Sequence, residues 1–528
     1  MFSLERPHAI FAFWAGCLLV TVGALLHLPM FLMARESGYV LAGMPMDLGM
    51  AIGMALILVG IVLAGYGLLP LKRVATSVLV VRPSEDAPLN LAHVMLMVVL
   101  VTALVVDVMK PASLGFVVPG MAAEYGLTRS VAAWLPFSAL TGTYVGSIIW
   151  GILADIYGRR ASILLSTIMF VGTSICGAMP SFWWNVGMCF MMGAAAGGLL
   201  PVVYALLAET MPARHRGWSL VMVGGLGAAG GYLAASASSA FFQPLFGWRI
   251  MWFLNIPTGL LLVALSNFIP ESPKFLVQIG QVDGARALLS RFGAGLIDAP
   301  VSRNSGSGPA RATPGRLSWV TVVTLSVAAL AWSLMNFGVL LWLPAHLVAK
   351  GQSIEATSRL LAGSALLAMP ASLVAALLYS RWSAKNTLLT GMLVTTGGLV
   401  GMTLIDGAFL GHHLSPVLLV AVLIIGSNTL LAVLLPYTAE LFPAAVRARA
   451  LGWVSGCTKC GGIFAQGLGL LGRAPTITIF AAFVAFLLVI AGGLVWFFGA
   501  ETRGRKLEDL EVDPRTGPIG NGAVRPSR

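Results

Sequence analysis

The sequence predicts an all-α polytopic membrane protein. Hydrophobic residues make up 58% of its 528 residues and charged residues only 10%, whereas a soluble domain carries about 25% charged residues. Apolar runs of the roughly 20 residues that cross a bilayer as a helix recur along the chain. One long polar segment, 270–317, divides the later runs into six and six. The pattern indicates two six-helix halves preceded by extra helices.

Fourteen membrane spans are expected. Two accessory spans come first, and twelve core spans follow. The first apolar run is long for a signal peptide and lacks a clear small-residue cleavage site, so we expect it to be retained. In chain order, the spans are expected at 9–33, 47–70, 92–118, 130–152, 161–179, 183–208, 218–242, 248–269, 318–343, 357–380, 387–405, 415–438, 450–472 and 475–498.

The basic residues predict the orientation of these spans. If both termini lie in the cytoplasm, most of the 32 Lys and Arg fall in cytoplasmic segments, as the positive-inside rule requires. Basic loops on one membrane face also account for the net charge of +12 without a nucleic-acid partner. We therefore expect a plasma-membrane protein, of the bacterial inner-membrane type, with cytoplasmic termini.

Five segments follow from these patterns. Residues 1–90 hold the accessory pair and a linker, 91–270 the first half, and 271–317 a cytoplasmic central loop. That loop is expected to start with one amphipathic helix, in SPKFLVQIGQVDGARALLSRFGA, and to end in a Ser/Gly/Pro linker. The second half, 318–498, precedes a cytoplasmic tail, 499–528.

The two halves carry repeated motifs. ETMPARHR (209–216) follows the fourth core span, and ELFPAAVR (440–447) follows the tenth with the same spacings. PESPKFL ends the sixth span around Glu271, and GAETRGR ends the twelfth around Glu501. Both pairs are separated by about 230 residues. The matching offsets predict an internal structural duplication.

The loop GILADIYGRR (151–160) resembles the Gly-x-Leu-Ala-Asp-x-x-Gly-Arg-Arg loop of the major facilitator superfamily. The resemblance covers about 92–512, and PESP and ETRGR are similar to the sugar-porter and organic-ion branches. It implies a 6+6 bundle of two pseudo-symmetric halves, here with two additional N-terminal helices. The second half departs from the pattern, because Ser380 stands where an acid is often found.

The resemblance also implies a conformational latch between the halves at their cytoplasmic face. Charged side chains there can form charge-assisted contacts, a glycine at 151 permits close helix approach, and one at 158 permits a tight turn. The alternative is that the arginines only set the topology. The expected latch residues are Gly151, Asp155, Gly158, Arg159, Arg160, Glu209, Arg216, Glu271, Glu440, Arg447 and Glu501.

The stretch VVDVMKP (105–111) places an ion pair inside a span. Of the 20 acidic residues, only Asp107 lies deep within an apolar run, where ionisable groups are usually functional. Lys110, at i+3, projects from the same helix face. Pro111 cannot donate to the carbonyl of residue 107, so the helix is expected to be weakened there. We predict that Asp107 carries the proton whose movement is coupled to that of a transported solute.

Further candidate site residues lie in other spans. DVMKPASLGFVVP resembles the first span of aromatic-acid/proton symporters, in which an aspartate stands where this chain has Lys110. Lys459 is a second buried cation, unless it snorkels to an interface. Cys457 and Cys460 flank it, but a lone Cys-x-x-Cys lacks the other ligands of a zinc site. The candidate substrate ligands are Lys110, Lys459, Tyr144, Asn336, Asn428 and Gln466, and Tyr204 is a further polar residue in a span.

The resemblance implies a secondary active transporter, and with these residues it predicts one that moves a small organic anion, such as a carboxylate, by proton symport. Two buried lysines against one acid favour an anion, and the seventh span lacks the paired glutamines with which sugar porters hold hydroxyls. No cofactor is expected, since the proton gradient supplies the energy. No metal site and no enzyme active site are expected either.

Two alternatives remain at this point. An exporter of amphipathic drugs or cations would also use an apolar cavity, although fourteen-span drug/proton antiporters usually carry their extra pair between the halves. A non-transporting receptor or assembly protein would use the accessory pair to bind a protein partner. GMAIG (49–53) offers a small-residue packing face, either for the core or for such a partner.

Overall fold

The computed structural model describes residues 7–69, 88–278, 280–293, 319–405, 416–442, 444–473 and 475–502, and within them it contains helices and no strands. Helices lie at all fourteen positions where spans were expected. Twelve helical segments are long and apolar enough to cross a membrane. The other two, Ala384–Ile405 and Ala444–Leu470, have 22 and 27 residues but carry more glycine and polar residues.

The first half of the core follows an N-terminal hairpin. The hairpin, here called the accessory hairpin, consists of α1 (Pro7–Leu25), α2 (Leu28–Met33) and α3 (Leu48–Leu68). The first half contains α4 (Leu91–Tyr125), α5 (Arg129–Ala132), α6 (Trp134–Tyr157), α7 (Arg159–Gly172), a 3-10 turn (Thr173–Ala178), α8 (Phe182–Ala196), α9 (Leu199–Thr210), α10 (Ala213–Phe246), α11 (Ile250–Phe253), α12 (Asn255–Ala264) and a 3-10 turn (Leu265–Phe268).

Two short helices of the central loop precede the second half. They are α13 (Pro273–Gln278) and α14 (Val282–Arg291). The second half contains α15 (Trp319–Leu334), a π-helical turn (Met335–Leu340), α16 (Leu341–Ala349), α17 (Ile354–Arg381), α18 (Ala384–Ile405), α19 (Pro416–Leu441), α20 (Ala444–Leu470) and α21 (Ile477–Phe498).

The expectation of a single amphipathic helix in the central loop is wrong. The segment forms two separate helices, α13 and α14, and Gly280 between them has a φ of 82°. The N–H of Gln281 donates to the carbonyl of Leu276 at 2.9 Å, which closes the end of α13. A glycine adopts this left-handed conformation at little cost, so it ends the first helix.

Polar side chains fix several helix starts. Asp47 Oδ1 accepts the N–H of Met50 at 2.7 Å and thereby caps α3. Asn90 caps α4 through a capping box with His93, and Ser353 caps α17. These side chains satisfy N–H groups that have no partner within the helix.

The two long helices of the accessory hairpin pack with their backbones in contact. A Cβ on Gly16 would lie 2.6 Å from the backbone N of Ala64, and a Cβ on Gly23 would lie 2.6 Å from the carbonyl O of Gly53. Small residues allow this approach between membrane helices. The packing face expected at 49–53 therefore contacts α1, through Gly53, within the same chain.

The accessory hairpin covers the outward side of α7. Val20 and Ala64 form a hydrophobic cluster with Ile168 and Val171 of α7. A Cβ on Gly172 would lie 2.8 Å from the Ile57 side chain of α3. In the segment Arg159–Ala178, which contains α7, 89% of an 18-residue apolar stretch is buried within the protein, and the hairpin contributes to this burial.

The two halves meet along long helices near the middle of the bundle. On α10 and α17, the hydroxyls of Ser239 and Ser358 are hydrogen-bonded at 2.7 Å. On α4, a Cβ at Gly115 would lie 3.0 Å from the carbonyl O of Leu341 in α16. This contact brings the helix that carries Asp107 against the second half.

Candidate functional site

A cavity of about 100 Å³ lies between the two halves. Helices α4, α6, α9 and α10 and the end of α8 form its wall on one side, and α15, α16, α19 and α20 form it on the other. The wall is mostly apolar, and the rings of Trp332 and Phe337 belong to it. Its polar side chains are Asp107, Thr143, Tyr232, Asn336, Asn428, Ser455 and Lys459.

Asp107 and Lys459 face this cavity from opposite halves. Asp107 belongs to α4 and is 7% exposed, and Lys459 belongs to α20 and is 8% exposed. Each charge acts on the other electrostatically. The Lys459 ammonium also donates to the hydroxyl of Thr458 at 3.1 Å. Lys459 therefore contributes a buried charge to the cavity and does not reach toward a membrane interface.

Lys110 lies beside Asp107 but outside the cavity wall. Its Nζ is 3.9 Å from Asp107 Oδ1 and 3.0 Å from the centre of the Phe170 ring on α7. The i+3 spacing thus brings the two charges together, as expected. The weakening expected at Pro111 does not end the helix, since α4 continues to Tyr125.

The π-helical turn in the seventh core span was not expected from the sequence. It carries Asn336, which lines the cavity. Gln466 Nε2 donates to the carbonyl of Phe337 in this turn at 2.7 Å, and Trp342 Nε1 donates to Gln466 Oε1 at 3.2 Å. Gln466, expected as a substrate ligand, holds the π-helical turn in this conformation. Such turns are frequent at functional sites.

Besides Asp107 Oδ1, which lies 3.9 Å from the Lys110 Nζ, two polar groups in the cavity wall have no hydrogen-bond partner among the described residues. They are the amide Nδ2 of Asn428 and the hydroxyl of Tyr232. Buried polar groups are normally paired, so both are suited to a bound molecule. Asn428 was expected, whereas Tyr232 was missed, although it is a polar residue in a span rich in Gly and Ala. Tyr144 lies beside Gly456 of α20, outside the cavity wall.

Glu271 caps α7 at the end of the bundle predicted to be cytoplasmic. Its Oε1 accepts the backbone N–H of Arg159 at 2.7 Å and that of Arg160 at 3.4 Å. Gly158 precedes this helix with a φ of 103°, which confirms the tight turn expected there. Burial raises the pKa of Glu271, although the backbone donors of Ser272, Arg159 and Arg160 oppose the shift.

Glu501 occupies the equivalent position in the second half. It accepts the backbone N–H of Ala384 at 3.1 Å and the hydroxyl of Ser383, and so caps α18. These contacts of Glu271 and Glu501 lie within one half each. These contacts therefore do not form the expected latch between the halves. Each carboxylate is oriented toward the start of a helix in its own half.

The remaining latch residues are distributed between two kinds of contact. Arg159 Nη2 is 3.2 Å from Glu209 Oε1 within the first half. Arg216 acts on Glu440 across the interface between the halves, where a Cβ on Gly217 would lie 3.4 Å from Glu440 Oε1. The side chains of Asp155 and Arg447 lie outside the described residues.

The expectation of a close helix approach at Gly151 is wrong for this conformation. A Cβ built on Gly151 would have no atom within 4 Å among the described residues. In the part of the chain that the structure describes, no neighbouring helix packs against this position of α6.

A second buried ion pair was missed by the sequence reasoning. Glu124, near the end of α4, and Arg249, just before α11, form a salt bridge of 2.7 Å, and their side chains are 6% and 0% exposed. Both residues lie near the ends of apolar runs, where charges are usually expected to be solvated. The pair lies away from the central cavity.

Known family models match most of the chain. The chain matches the family model described as Major Facilitator Superfamily over residues 95–429. The chain belongs to the major facilitator superfamily. A second family model, Sugar (and other) transporter, matches residues 360–513.

Two transporters are similar to this chain over most of their length. The niacin transporter NiaP of Acinetobacter baylyi is 26% identical over 441 residues, which cover 81% of this chain and 98% of that protein. The 4-hydroxybenzoate transporter PcaK of the same species is 26% identical, and the match covers 75% of this chain and 88% of that protein. The solved proton:xylose symporter XylE shares the fold, with a TM-score of 0.62, 18% identity, and coverage of 79% and 98%.

The major facilitator fold and these relatives define the class of activity. The protein is a membrane-embedded secondary transporter of small organic solutes, and it is not an enzyme. The expected 6+6 arrangement with two additional N-terminal helices is confirmed. The domain boundaries and the roles of individual site residues stay predictions.

Proposed function

We propose that the protein imports a small aromatic carboxylate together with a proton. The observation that carries this proposal is that Asp107 and Lys459 face the central cavity from opposite halves. A buried ammonium supplied by the second half provides an anion ligand, and a carboxylate supplied by the first half provides a proton acceptor. Niacin and 4-hydroxybenzoate, which the named relatives transport, are both aromatic monocarboxylates.

The cavity wall supports a flat, monoanionic substrate. The rings of Trp332 and Phe337 offer apolar surfaces against which an aromatic ring can pack. The unpaired donors on Asn428 and Tyr232 lie on different halves and can both donate to substrate oxygens. The lack of paired glutamines in the seventh span argues against a sugar.

The proposed coupling acts through the charge of Lys459. A substrate carboxylate that binds Lys459 neutralises an ammonium that otherwise acts on Asp107 across the cavity. Asp107 then has less counter-charge in a buried site, and a buried carboxylate with less counter-charge takes up a proton. Substrate and proton thus occupy the cavity together, and the movement of the halves releases both on the other side. We further propose that both termini lie in the cytoplasm of a bacterial cell.

A ligand screen on the purified protein tests this function. Nicotinate, benzoate and 4-hydroxybenzoate are compared with the neutral nicotinamide and with xylose by thermal shift. Ligands at about 100 times Kd stabilise the folded state by about 2.7 kcal/mol. We expect stabilisation by carboxylates and none by nicotinamide or xylose. Equal stabilisation by nicotinamide would contradict an anion site.

Proteoliposomes then separate import from export. A carboxylate that stabilises the protein is supplied outside, with the internal pH set above the external pH. Accumulation that collapses with an ionophore supports symport. Efflux of preloaded substrate, driven by the same gradient, would instead support the exporter alternative. Lys459→Gln serves as the matched control for a binding-deficient site.

A further inference from the structure

The two lysines near Asp107 have different surroundings. The Lys110 side chain is 1% exposed, and its Nζ has no hydrogen-bond partner among the described residues. Instead it lies 3.0 Å from the centre of the Phe170 ring and 3.9 Å from Asp107 Oδ1. An aromatic face attracts a cation most strongly when water is excluded. The Phe170 ring therefore takes the place of solvent on one side of the ammonium.

Packing on both sides of α7 fixes Phe170 in place. The Phe170 side chain is 1% exposed, and a Cβ on Gly259 of α12 would lie 3.5 Å from its Cδ1. The accessory hairpin covers the outer side of α7, where Ile57 packs over Gly172. The ring therefore cannot follow the Lys110 ammonium toward the cavity without moving α7 against two layers of helices.

The position of each lysine relative to the two halves decides what it can do. Lys110 lies on the same helix as Asp107, and Phe170 belongs to the same half. Lys459 belongs to the other half and lines the cavity. Relative movement of the halves changes the distance from Asp107 to Lys459, whereas the pair of Asp107 and Lys110 moves as one body.

We propose that Phe170 is a positioning residue of the coupling site, which holds the Lys110 ammonium beside Asp107 and away from the substrate. Lys110 is then the counter-charge that stays beside Asp107, and Lys459 is the charge that binds the substrate. The proposal rests on the proposed role of Asp107 as proton carrier, and it replaces the expectation that Lys110 binds substrate. Among the described residues, Lys110 and Lys459 act electrostatically on Asp107, and Asp107 acts on Lys110.

The test measures the pH at which Asp107 takes up a proton in the absence of substrate. Melting temperature is recorded against pH for the full-length protein and for Asp107→Asn, and the difference isolates the contribution of Asp107. Phe170→Met keeps a similar volume but removes the aromatic face. We expect Phe170→Met to shift the Asp107-dependent transition in melting temperature toward higher pH by at least about one pH unit. One unit is the lower end of the pKa shift that an adjacent opposite charge causes.

Controls distinguish positioning from packing. Phe182→Met alters another buried phenylalanine of the first half and is expected to leave the profile unchanged. In a Lys110→Met background, Phe170→Met is expected to add no further shift, because it acts through Lys110. Phe170→Tyr retains the aromatic face and is expected to restore the wild-type profile. If Phe170→Met does not fold, the comparison of Phe170→Tyr with Phe170→Leu gives the same contrast.

The outcomes separate this proposal from the proposed function. An unchanged pH profile in Phe170→Met, or an equal shift with and without Lys110, would overturn the positioning role. Failure of every carboxylate in the ligand screen would contradict the proposed substrate and leave the pH measurement intact, since that measurement needs no substrate. Direct substrate binding by Lys110 would instead appear as a loss of ligand affinity in Lys110→Met as large as that in Lys459→Gln.

Discussion

Glu124 and Arg249 form a buried ion pair that also fastens the accessory hairpin to the core. Arg249 Nη2 lies 2.7 Å from Glu124 Oε1, and the same oxygen accepts the backbone N–H of Leu41 and of Ala42, at 2.9 and 3.0 Å. Trp248 Nε1 donates to the other carboxylate oxygen at 2.8 Å. One side chain thus joins α4, the start of α11 and the loop before α3.

Replacement of this carboxylate is expected to destabilise the protein and to release the loop. Glu124→Ala leaves Arg249 buried without its partner, which costs about 3–5 kcal/mol. Melting temperature measures the loss, and maleimide labelling of Ala42→Cys reports release of the loop. Glu36→Ala, in the same loop region, is the matched control and should change neither. Unchanged labelling in Glu124→Ala would show that other contacts hold the loop.

Asp107→Asn is expected to separate exchange from accumulation. The asparagine resembles the protonated carboxylate and cannot release a proton, so substrate exchange survives while a pH gradient no longer drives uptake. Counterflow and gradient-driven uptake in proteoliposomes are measured side by side. The alternative is a purely structural ion pair, in which case the variant mainly lowers the melting temperature. Accumulation at the wild-type level would remove Asp107 from the mechanism.

Lys459→Gln is expected to weaken carboxylate binding by about tenfold or more, the effect of losing one hydrogen bond to a charged group. Its counterpart Lys459→Arg keeps the charge and should retain part of the affinity. Isothermal titration with the best carboxylate from the ligand screen measures both. Equal affinity in Lys459→Gln and the wild type would assign the anion to another group.

Glu271→Gln is expected to lower stability, because it weakens the cap on α7. Since the folded-state pKa of Glu271 is raised, the contribution from its titration is present below the unfolded pKa of about 4.3 and is lost as the pH rises through the folded pKa. The difference in melting temperature between wild type and Glu271→Gln should therefore decrease from pH 4 to pH 8. A difference that grows with pH would show that the backbone donors outweigh burial.

Deletion of residues 1–85 is expected to leave a core that inserts in the same orientation, because an even number of spans is removed. The truncated protein should nevertheless melt at a lower temperature, since the outer side of α7 loses its cover and Glu124 loses two backbone donors. Cysteine labelling of the core loops checks the orientation. Inverted loops would show that the accessory hairpin directs insertion.

The sequence was sufficient for the fold and for the charges at the centre of the site, because hydropathy marks each span and a buried Asp107 or Lys459 interrupts it. It could not show which neighbour the Lys110 ammonium contacts, since that depends on how α7 packs against α4. The π-helical turn at Met335–Leu340 also leaves no local signature, because its hydrogen bonds are completed by Gln466 of another helix. The pairing of Glu124 with Arg249 is similarly a long-range contact.

The backbone contact between α1 and α3 has a consequence for biogenesis. Gly16 and Gly23 meet Ala64 and Gly53 without help from any residue of the core, so the two helices can associate as soon as both have left the ribosome and entered the bilayer. Synthesis runs from the N-terminus, and the hairpin is therefore complete before α4 is made. When α7 enters the membrane, it meets an assembled protein surface instead of lipid. We therefore expect the hairpin to act as an intramolecular template for the nascent first half.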